Sequence, residues 1–340
     1  MIMHQLKTEL EIMSGWQGDI SKPLVSICCI TYNHEKYIEE CLNGFLIQET
    51  NFPFEILVDD DFSQDNTAAI IREYHTKYPN IIKPNLRTSN VGPMSNFTQN
   101  LKRATGEYIA VCEGDDYWTD PNKLQIQITE MKKYSEVDMS FHPAFKVLNN
   151  TTNGVIANHA EQNKVYMTSE VILGGGQFCP TDSLVFKTKV IDKLPEWYFT
   201  IAPVGDYYLQ ILGSINAGLL YINKIMSAYR THPNNWTNNS QISWLSRLNF
   251  ISKNSQAMYH LDIHLNYKYT NEIKLASKKE ALNFCLNQNF PLDKRKEIFK
   301  QYLHLFTLCD KFKVYILYRN KNIYNLFKRA KNSFFPSEFR

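Results

Sequence analysis

Residues 108–118 read Tyr-Ile-Ala-Val-Cys-Glu-Gly-Asp-Asp-Tyr-Trp, an apolar run of strand length that ends in two adjacent carboxylates. Asp115 and Asp116 repel each other, and each raises the free-energy cost of ionising the other. A divalent cation and the phosphates that it carries would relieve this repulsion. The alternative is an acidic turn in which an Asp caps the next helix. A second cluster, Asp59–Asp61, follows the apolar residues 54–58 and favours a metal and phosphate site.

The first half of the chain alternates predicted strands with predicted helices. Continuous apolar runs predict strands at 25–30, 55–58 and 108–112. Apolar residues spaced by three and four predict helices at 35–48, 66–78 and 96–104. Unbroken apolar strands that alternate with helices are typical of a parallel sheet covered on both faces. The predicted fold class is therefore α/β, with a mostly parallel sheet flanked by helices.

Ligands of such sheets bind beyond the carboxyl ends of the strands. Three polar loops follow the three predicted strands, at residues 31–34, 59–63 and 113–116. Because the strands belong to one predicted sheet, we expect the side chains of these loops to converge on a single crevice.

The segments around these loops also agree in type and order with a known family. They read Val-Ser-Ile and Thr-Tyr-Asn within 25–33, Glu-Ile-Leu-Val-Asp-Asp-Asp-Phe-Ser-Gln-Asp-Asn-Thr at 55–67, and Gly-Glu-Tyr-Ile-Ala and Gly-Asp-Asp-Tyr-Trp within 106–118. Together they resemble the nucleotide-sugar half of the family 2 glycosyltransferases, and the resemblance covers residues 23–235. It implies a Rossmann-like GT-A fold and an inverting transfer from a nucleotide sugar.

The resemblance implies a role for each polar position of the first two loops. Thr31, Tyr32 and Asn33 are expected to lie along the nucleotide, and Asp61 to accept a hydrogen bond from the uracil ring. The family often has an apolar residue where Asp59 stands and a small residue at the next loop position, here Phe62. We therefore expect a structural or supporting role for Asp59.

The family's metal motif corresponds to Asp115 and Asp116. The resemblance implies that Asp115 lies nearer the ribose, whereas Asp116 coordinates the Mn²⁺ or Mg²⁺ ion that bridges the diphosphate. Hard oxygen ligands suit both ions.

Asp206 precedes an apolar segment, 209–217, that predicts a helix. By spacing alone it is an N-cap, which stabilises a helix by about 1 kcal/mol. The resemblance implies instead that Asp206 is the catalytic base, which takes the proton from an acceptor hydroxyl while that oxygen attacks the anomeric carbon.

Further candidates follow the predicted strand at 219–228. In the family a histidine or a basic group here contacts the metal or the diphosphate, which makes His232 and Arg230 candidates, with loop packing as the alternative. Trp118 and Trp236 could stack on a sugar face or pack in the core. The glycine run 174–176 is either an acceptor loop or a flexible connector.

The composition is that of a protein with a sizeable core. Of 340 residues, 44% are hydrophobic and 21% are charged. The chain contains no run of about 18 apolar residues that would mark a membrane span, and its polar N-terminus predicts no secretory signal. Seven cysteines without CxxC spacing indicate buried thiols in a reducing compartment. We therefore expect a cytoplasmic protein.

Charge divides the chain unevenly. Residues 268–340 hold 16 Lys and Arg against 6 Asp and Glu, a balance of +10, which leaves residues 1–267 at −7. The basic tail carries aromatic residues at helical spacing, so that its helices could lie on an anionic membrane surface. The alternative is an ordinary packed helix with a solvated basic face. We expect peripheral contact with the inner face of the cell membrane and no nucleic-acid partner.

Three domains are expected: a leader at 1–22, a GT-A catalytic domain at 23–240 and a basic, aromatic-rich helical extension at 241–340. The favoured function is a metal-dependent hexosyltransferase of surface polysaccharide biosynthesis, with a UDP-sugar donor and a glycan or lipid-linked saccharide acceptor. A nucleotidyltransferase is disfavoured because the loop 31–34 lacks the glycines of a phosphate-binding loop. A non-catalytic membrane- or nucleic-acid-binding module is the third alternative, and the intact acidic loops disfavour it.

Overall fold

The computed structural model describes residues 6–232 and 243–319. The chain divides into two compact units, Met1–Asn235 and Trp236–Arg340. The first holds two β-sheets with their helices. The described part of the second is helical.

An eight-stranded sheet forms the centre of the first unit, in the order β3-β2-β1-β4-β10-β6-β11-β9. Its strands are β1 (Val25–Thr31), β2 (Phe54–Asp60), β3 (Ile82–Leu86), β4 (Tyr108–Val111), β6 (Met139–Phe141), β9 (Lys164–Tyr166), β10 (Val185–Lys187) and β11 (Leu219–Tyr221). Six strands run parallel, while β9 and β10 run antiparallel to their neighbours. The expected α/β class with a mostly parallel sheet is confirmed.

A smaller sheet of four strands, in the order β5-β12-β7-β8, adjoins the loop 113–116. Its members are β5 (Tyr117–Trp118), β7 (Ala144–Leu148), β8 (Thr151–Ile156) and β12 (Ser227–Thr231). The strand β12 pairs antiparallel with β5, so that Ser227 lies opposite Trp118. This pairing brings residues near 230 to that loop, more than 100 positions away in sequence.

Within residues 6–232, nine helices flank the sheets of the first unit. They are α1 (Glu9–Ser14), α2 (Ile38–Leu46), α3 (Thr67–Lys77), α4 (Pro93–Leu101), α5 (Lys123–Lys133), α6 (Thr168–Gly174), α7 (Lys189–Asp192), α8 (Glu196–Thr200) and α9 (Gly205–Ser214) among the described residues. The strands β1, β2 and β4 are buried almost throughout, which explains their continuous apolar sequences. Ile12, from the expected leader segment, joins the same core.

The described part of the second unit contains α10 (Trp244–His264), α11 (Thr270–Leu286), α12 (Leu292–Gln301) and α13 (Leu308–Arg319). These helices share their own core, which includes Ile251, Phe284 and Val314. None of the described helices is long and apolar enough to cross a bilayer. The residues 320–340 of the predicted amphipathic tail lie outside the described residues.

Several sequence predictions were wrong in detail. The strand predicted at 219–228 is two strands, which belong to different sheets. The strands β3 and β10 were not predicted. Six cysteines are buried, but Cys309 is exposed. The missed strands are short or half-exposed, so they lack a continuous apolar run.

Candidate active site

The three loops predicted to converge do meet at one edge of the large sheet. The strands β2, β1 and β4 are adjacent and parallel, so their carboxyl ends share that edge. The amide of Asp61 donates to the Thr31 carbonyl at 3.0 Å, and the amide of Gly114 donates to the Ile30 carbonyl at 2.9 Å. A Cβ added to Gly114 would lie 2.7 Å from the Thr31 hydroxyl. Only glycine therefore lets the acidic loop, Glu113–Asp116, approach Thr31 this closely.

Side chains join the first loop to the second. The Asn33 amide donates to the Ser63 hydroxyl, and the Asn33 side chain accepts from the Gln64 amide, both at 2.8 Å. Asn33 has a φ of 56° and Phe62 one of 65°. This left-handed conformation is uncommon for a side chain as bulky as that of Phe62. Tyr32 is exposed beside them, which leaves its ring open to a base.

The Asp61 carboxylate is buried and lies before helix α4. Its two oxygens accept from the amides of Val91 and Gly92, at 2.8 and 2.9 Å. Each carboxylate oxygen can accept a second hydrogen bond, so the predicted contact with a uracil ring remains compatible with this geometry.

Asp59 is fully buried and serves the scaffold, consistent with the structural role expected for it. It pairs with Arg103 and with Arg87, the latter at 3.1 Å, and it accepts from Asn85 and Asn100, both at 2.7 Å. These contacts tie β2 to β3 and α4.

Two histidines flank Asp115. The Nε2 atom of His232 lies 3.0 Å from Oδ2 of Asp115, and that of His34 lies 3.9 Å from the same oxygen. The His232 ring also stacks on Tyr37, with ring centroids 4.7 Å apart. Burial raises the pKa of the Asp115 carboxyl, but the two imidazoles outweigh it, so that the pKa lies below its usual value. A negative charge is thus maintained beside a potential nitrogen ligand.

Asp116 lies deeper than Asp115 and is almost completely buried. One of its oxygens accepts from the backbone amide of Arg230 at 2.7 Å. Burial, followed by the charges of Asp115 and Asp182, raises the pKa of Asp116 well above its usual value. A positive charge delivered to this site would stabilise the ionised form.

Arg230 holds the acidic loop in place. Its guanidinium donates to the Asp115 carbonyl at 2.7 Å and pairs with Glu40 on α2. It also lies over the rings of Tyr37 and Tyr117. This guanidinium is buried in contacts with the protein. It therefore supports the loop and is not accessible to a phosphate, which was one of its predicted contacts.

Two acidic residues that sequence reasoning missed complete the site. Burial raises the pKa of Glu113 to about 8, helped by the charges of Asp115, Asp206 and Asp182. Burial likewise raises the pKa of Asp182 to about 6. Glu113 was visible in the sequence as part of the acidic loop. Asp182 gave no signal, because the short strand that follows it was not recognised.

Asp206 lies in the first turn of α9, where Val204 occupies the N-cap position. The capping alternative for Asp206 is therefore wrong. Its carboxylate accepts from the Tyr207 amide at 2.8 Å and from the Thr181 hydroxyl at 3.3 Å. Burial raises the pKa of Asp206 above the usual value, which suits a general base.

The aromatic and glycine candidates have different outcomes. Trp118 is buried and donates its indole N–H to the Asp182 carbonyl at 2.9 Å, so core packing, not sugar stacking, describes it. Trp236 lies outside the described residues. The glycine run 174–176 ends helix α6, and Gly176 lies near the Cβ of Tyr207, the neighbour of Asp206.

Among residues 6–232 and 243–319, no group of three His, Cys, Asp or Glu side chains is arranged to hold a metal by itself. Two protein ligands and the oxygens of a diphosphate would nonetheless form a hard-ligand site for Mn²⁺ or Mg²⁺. The adjacent carboxylate and imidazole of Asp115 and His232, and the buried carboxyl of Asp116, fit such an ion.

Comparison with known proteins agrees with this fold. Residues 26–194 match the model of glycosyl transferase family 2. The structure of Staphylococcus aureus TarS residues 1–349 in complex with UDP-GlcNAc aligns with a TM-score of 0.56 and 19% identity, over 87% of this chain and 92% of that one. At this identity the likeness shows the fold, which is the expected GT-A fold with C-terminal helices.

Two sequence relatives add to the comparison. An uncharacterised Mycobacterium tuberculosis protein is 34% identical over 209 residues, 61% of this chain and 59% of its own length. The chain therefore spans less than two thirds of that relative. The Escherichia coli protein WfgD, a UDP-Glc:alpha-D-GlcNAc-diphosphoundecaprenol beta-1,3-glucosyltransferase, is 27% identical over 77% of this chain and 96% of its own.

Proposed function

Since the chain belongs to glycosyl transferase family 2, we propose that it moves a hexose from a UDP-sugar to a hydroxyl of a glycan or lipid-linked saccharide in surface polysaccharide biosynthesis. One observation carries the proposal: Thr181 donates to Asp206 at 3.3 Å, and the next residue, Asp182, accepts at 2.9 Å from Trp118, two positions after the acidic loop. The acidic loop and the proposed base therefore lie close enough to act on one sugar between them. WfgD, by its name, uses a UDP-sugar and a lipid-linked acceptor.

The nucleotide is assigned to the loops that follow β1 and β2, at the carboxyl ends of these strands. Tyr32 offers an exposed ring to the uracil, and Thr31 and Asn33 line the same loop. Asp61 accepts from the ring N–H of the base. Asp115 lies nearer the ribose.

Asp116 and His232 are the proposed protein ligands of the divalent ion, with Asp115 beside them. When bound, Mn²⁺ or Mg²⁺ supplies positive charge to the diphosphate that leaves. Arg230 fixes the backbone of the acidic loop from behind through the Asp115 carbonyl and the Asp116 carboxylate.

Asp206 is the proposed catalytic base. It removes the proton from the acceptor hydroxyl as that oxygen forms a bond to the anomeric carbon. The bond from this carbon to the phosphate oxygen breaks on the opposite face, and the nucleoside diphosphate departs with the electron pair. In-line displacement inverts the anomeric configuration.

The experiment is a screen of UDP-sugars with Mn²⁺, by thermal stabilisation and by hydrolysis or transfer, on three proteins. We expect Asp116→Ala to lose metal-dependent UDP binding, and Asp206→Asn to keep that binding but lose transfer. Equal donor affinity in Asp116→Ala and wild type would refute the metal assignment. Undiminished turnover in Asp206→Asn would refute the base, and nucleotidyl transfer by the wild type would favour the alternative enzyme.

We also propose that the helical unit docks on anionic membrane surface. The inward face of α13 contains Asp310, Val314 and Leu317. Its opposite face exposes three large apolar side chains, Leu308 at 85%, Phe312 at 62% and Tyr315 at 53%. Lys311 and Arg319 accompany them at helical spacing. Apolar side chains ringed by cations suit the interface of an anionic bilayer.

Vesicle flotation tests this surface. We expect the protein to bind phosphatidylglycerol vesicles more tightly than phosphatidylcholine vesicles, and Phe312→Glu to release it. Leu275→Glu, at an exposed apolar residue of α11, is the matched control and should still bind. Equal binding of Phe312→Glu and wild type, or a concentration-dependent dimer that Phe312→Glu abolishes, would overturn the proposal.

A further inference from the structure

A single 3₁₀ turn, Thr181–Ser183, contacts both Asp206 and Trp118, the latter next to the acidic loop. The Thr181 hydroxyl donates to Oδ2 of Asp206 at 3.3 Å. The next residue, Asp182, accepts the indole N–H of Trp118 on its carbonyl at 2.9 Å. Trp118 follows the acidic loop by two positions. The turn therefore links the proposed base to the strand β5, which directly follows the acidic loop.

Buried polar groups of α5 hold this turn from behind. Gln127 donates to the Ser183 carbonyl at 2.9 Å. The Lys123 ammonium donates to the Gln127 side chain at 2.7 Å and lies 4.0 Å from the centroid of the Trp118 ring. Lys123, Gln127, Asp182 and Ser183 are all completely buried.

Lys123 and Asp182 are ionisable groups of opposite charge buried in the same interior, and Gln127 links the Lys123 ammonium to the turn that contains Asp182. Burial lowers the pKa of Lys123 to about 7, and Cys112 and Asp182 oppose that change. Burial raises the pKa of Asp182, and Ser227 and Lys123 oppose it. Neither oxygen of Asp182 accepts a hydrogen bond of normal geometry from the described residues. Buried ionisable groups are a costly way to fill a core, since apolar side chains of similar volume often stabilise as much or more.

We propose that Lys123 and Asp182 are positioning residues, which hold the turn Thr181–Ser183 so that Asp206 keeps its distance and orientation relative to the acidic loop. The role follows from where the two residues lie. Both side chains are completely buried, and the turn that they support bonds Asp206 on one side and Trp118 on the other. Misplacement of a catalytic group by about 1 Å can cost about 100-fold in rate. The proposal rests on the assignment of Asp206 as the base.

The test is a double-mutant cycle on kcat and on donor KM, with Lys123→Met, Asp182→Asn and the double variant in the full chain. We expect each single variant to lower kcat at least about tenfold while donor KM changes less than about threefold. Because the two residues act through one turn, the double variant should be no slower than the slower single variant. Thr181→Val removes the hydrogen bond from the turn to Asp206 and should reproduce the fall in kcat with little change in Tm.

The matched control is Glu55→Gln, a buried carboxyl at the opposite edge of the same sheet that bonds Ser26, Thr105 and Lys83. It should lower Tm and leave kcat within about twofold. Unchanged kcat in both single variants, or losses that multiply in the double variant, would overturn the positioning role. A folded Thr181→Val with full kcat would do so too, even if the charge variants failed to fold.

Failure of this proposal is distinguishable from failure of the proposed function. If wild type transfers sugar and Asp206→Asn does not, while the Lys123 and Asp182 variants retain kcat, only the positioning role is wrong. If Asp206→Asn remains active, the assignment of the base is wrong, and the positioning role is wrong with it.

Discussion

The two halves of the large sheet are built differently. The strands β1 to β4 are parallel, and β1 and β2 reach seven residues each. The strands β6, β9, β10 and β11 have three residues each and include both antiparallel members. The long half carries the proposed nucleotide loops, and the short half carries Thr181 and Asp206. A regular scaffold thus accompanies the proposed donor site, while short strands joined by longer connections accompany the proposed base.

The largest difference between the two halves is expected from Asp206→Asn, which should lower kcat far more than it changes donor binding. The amide keeps the shape of the side chain but cannot take a proton, so we expect kcat to fall about 10²- to 10⁴-fold. Donor binding belongs to the other half and should change less than about threefold. Isothermal titration with UDP and Mn²⁺, beside a transfer assay, measures both. Asp192→Asn, an exposed carboxyl of the same half, is the control and should match wild type.

Arg230 tests the contact between the smaller sheet and the acidic loop, because β12 brings it to that loop from far along the chain. Removing one partner of a buried ion pair costs about 3 to 5 kcal/mol. Since the Glu40 side chain is 31% exposed, we expect Arg230→Met to lower the free energy of unfolding by about 2 kcal/mol. Urea denaturation measures it. Lys77→Met breaks the exposed pair with Glu73 and should lower the free energy of unfolding much less, because water screens an exposed pair. Equal losses in the two variants would mean that the Arg230–Glu40 pair stabilises the protein no more than an exposed pair does.

A smaller effect is expected within the donor half from Gly114→Ala. The new methyl group would meet the buried side chain of Thr31 at 2.7 to 2.8 Å, so the acidic loop must move away from the first loop. We expect donor KM to rise about tenfold, with a smaller change in kcat. Gly15→Ala, whose nearest neighbour would lie at 3.4 Å, should leave both constants unchanged. An unaltered donor KM in Gly114→Ala would contradict the close packing of the two loops.

The same contrast explains what the sequence predicts. The strands β1, β2 and β4 are buried on both faces, so each appears as a continuous apolar run, and the polar residues after them mark the binding edge. Three-residue strands such as β10 have no periodicity to detect. The turn before β10 therefore stayed hidden, and with it Asp182.

Site residues follow the same division for a physical reason. Asp115 and Asp116 are adjacent in sequence, so their repulsion is visible without a structure. The contact of His232 with Asp115 depends on the pairing of β12 with β5, which is a long-range event. Asp206 was identified from the family resemblance, since its spacing alone favoured a helix cap. The ion pair of Arg230 with Glu40 joins residues 190 positions apart, so no local sequence pattern predicts it.

The smallest expected effect concerns the pH dependence of the short half. Burial raises the pKa of Asp206, and the Thr181 hydrogen bond lowers it. A base must be ionised, so kcat is lost as pH falls through that pKa, and its acid limb should lie above the ordinary aspartate value of about 3.9. Thr181→Val removes a bond to the ionised form, so the limb should move to higher pH. Asp192→Asn should leave it in place. A limb that stays fixed in Thr181→Val would mean that another group titrates.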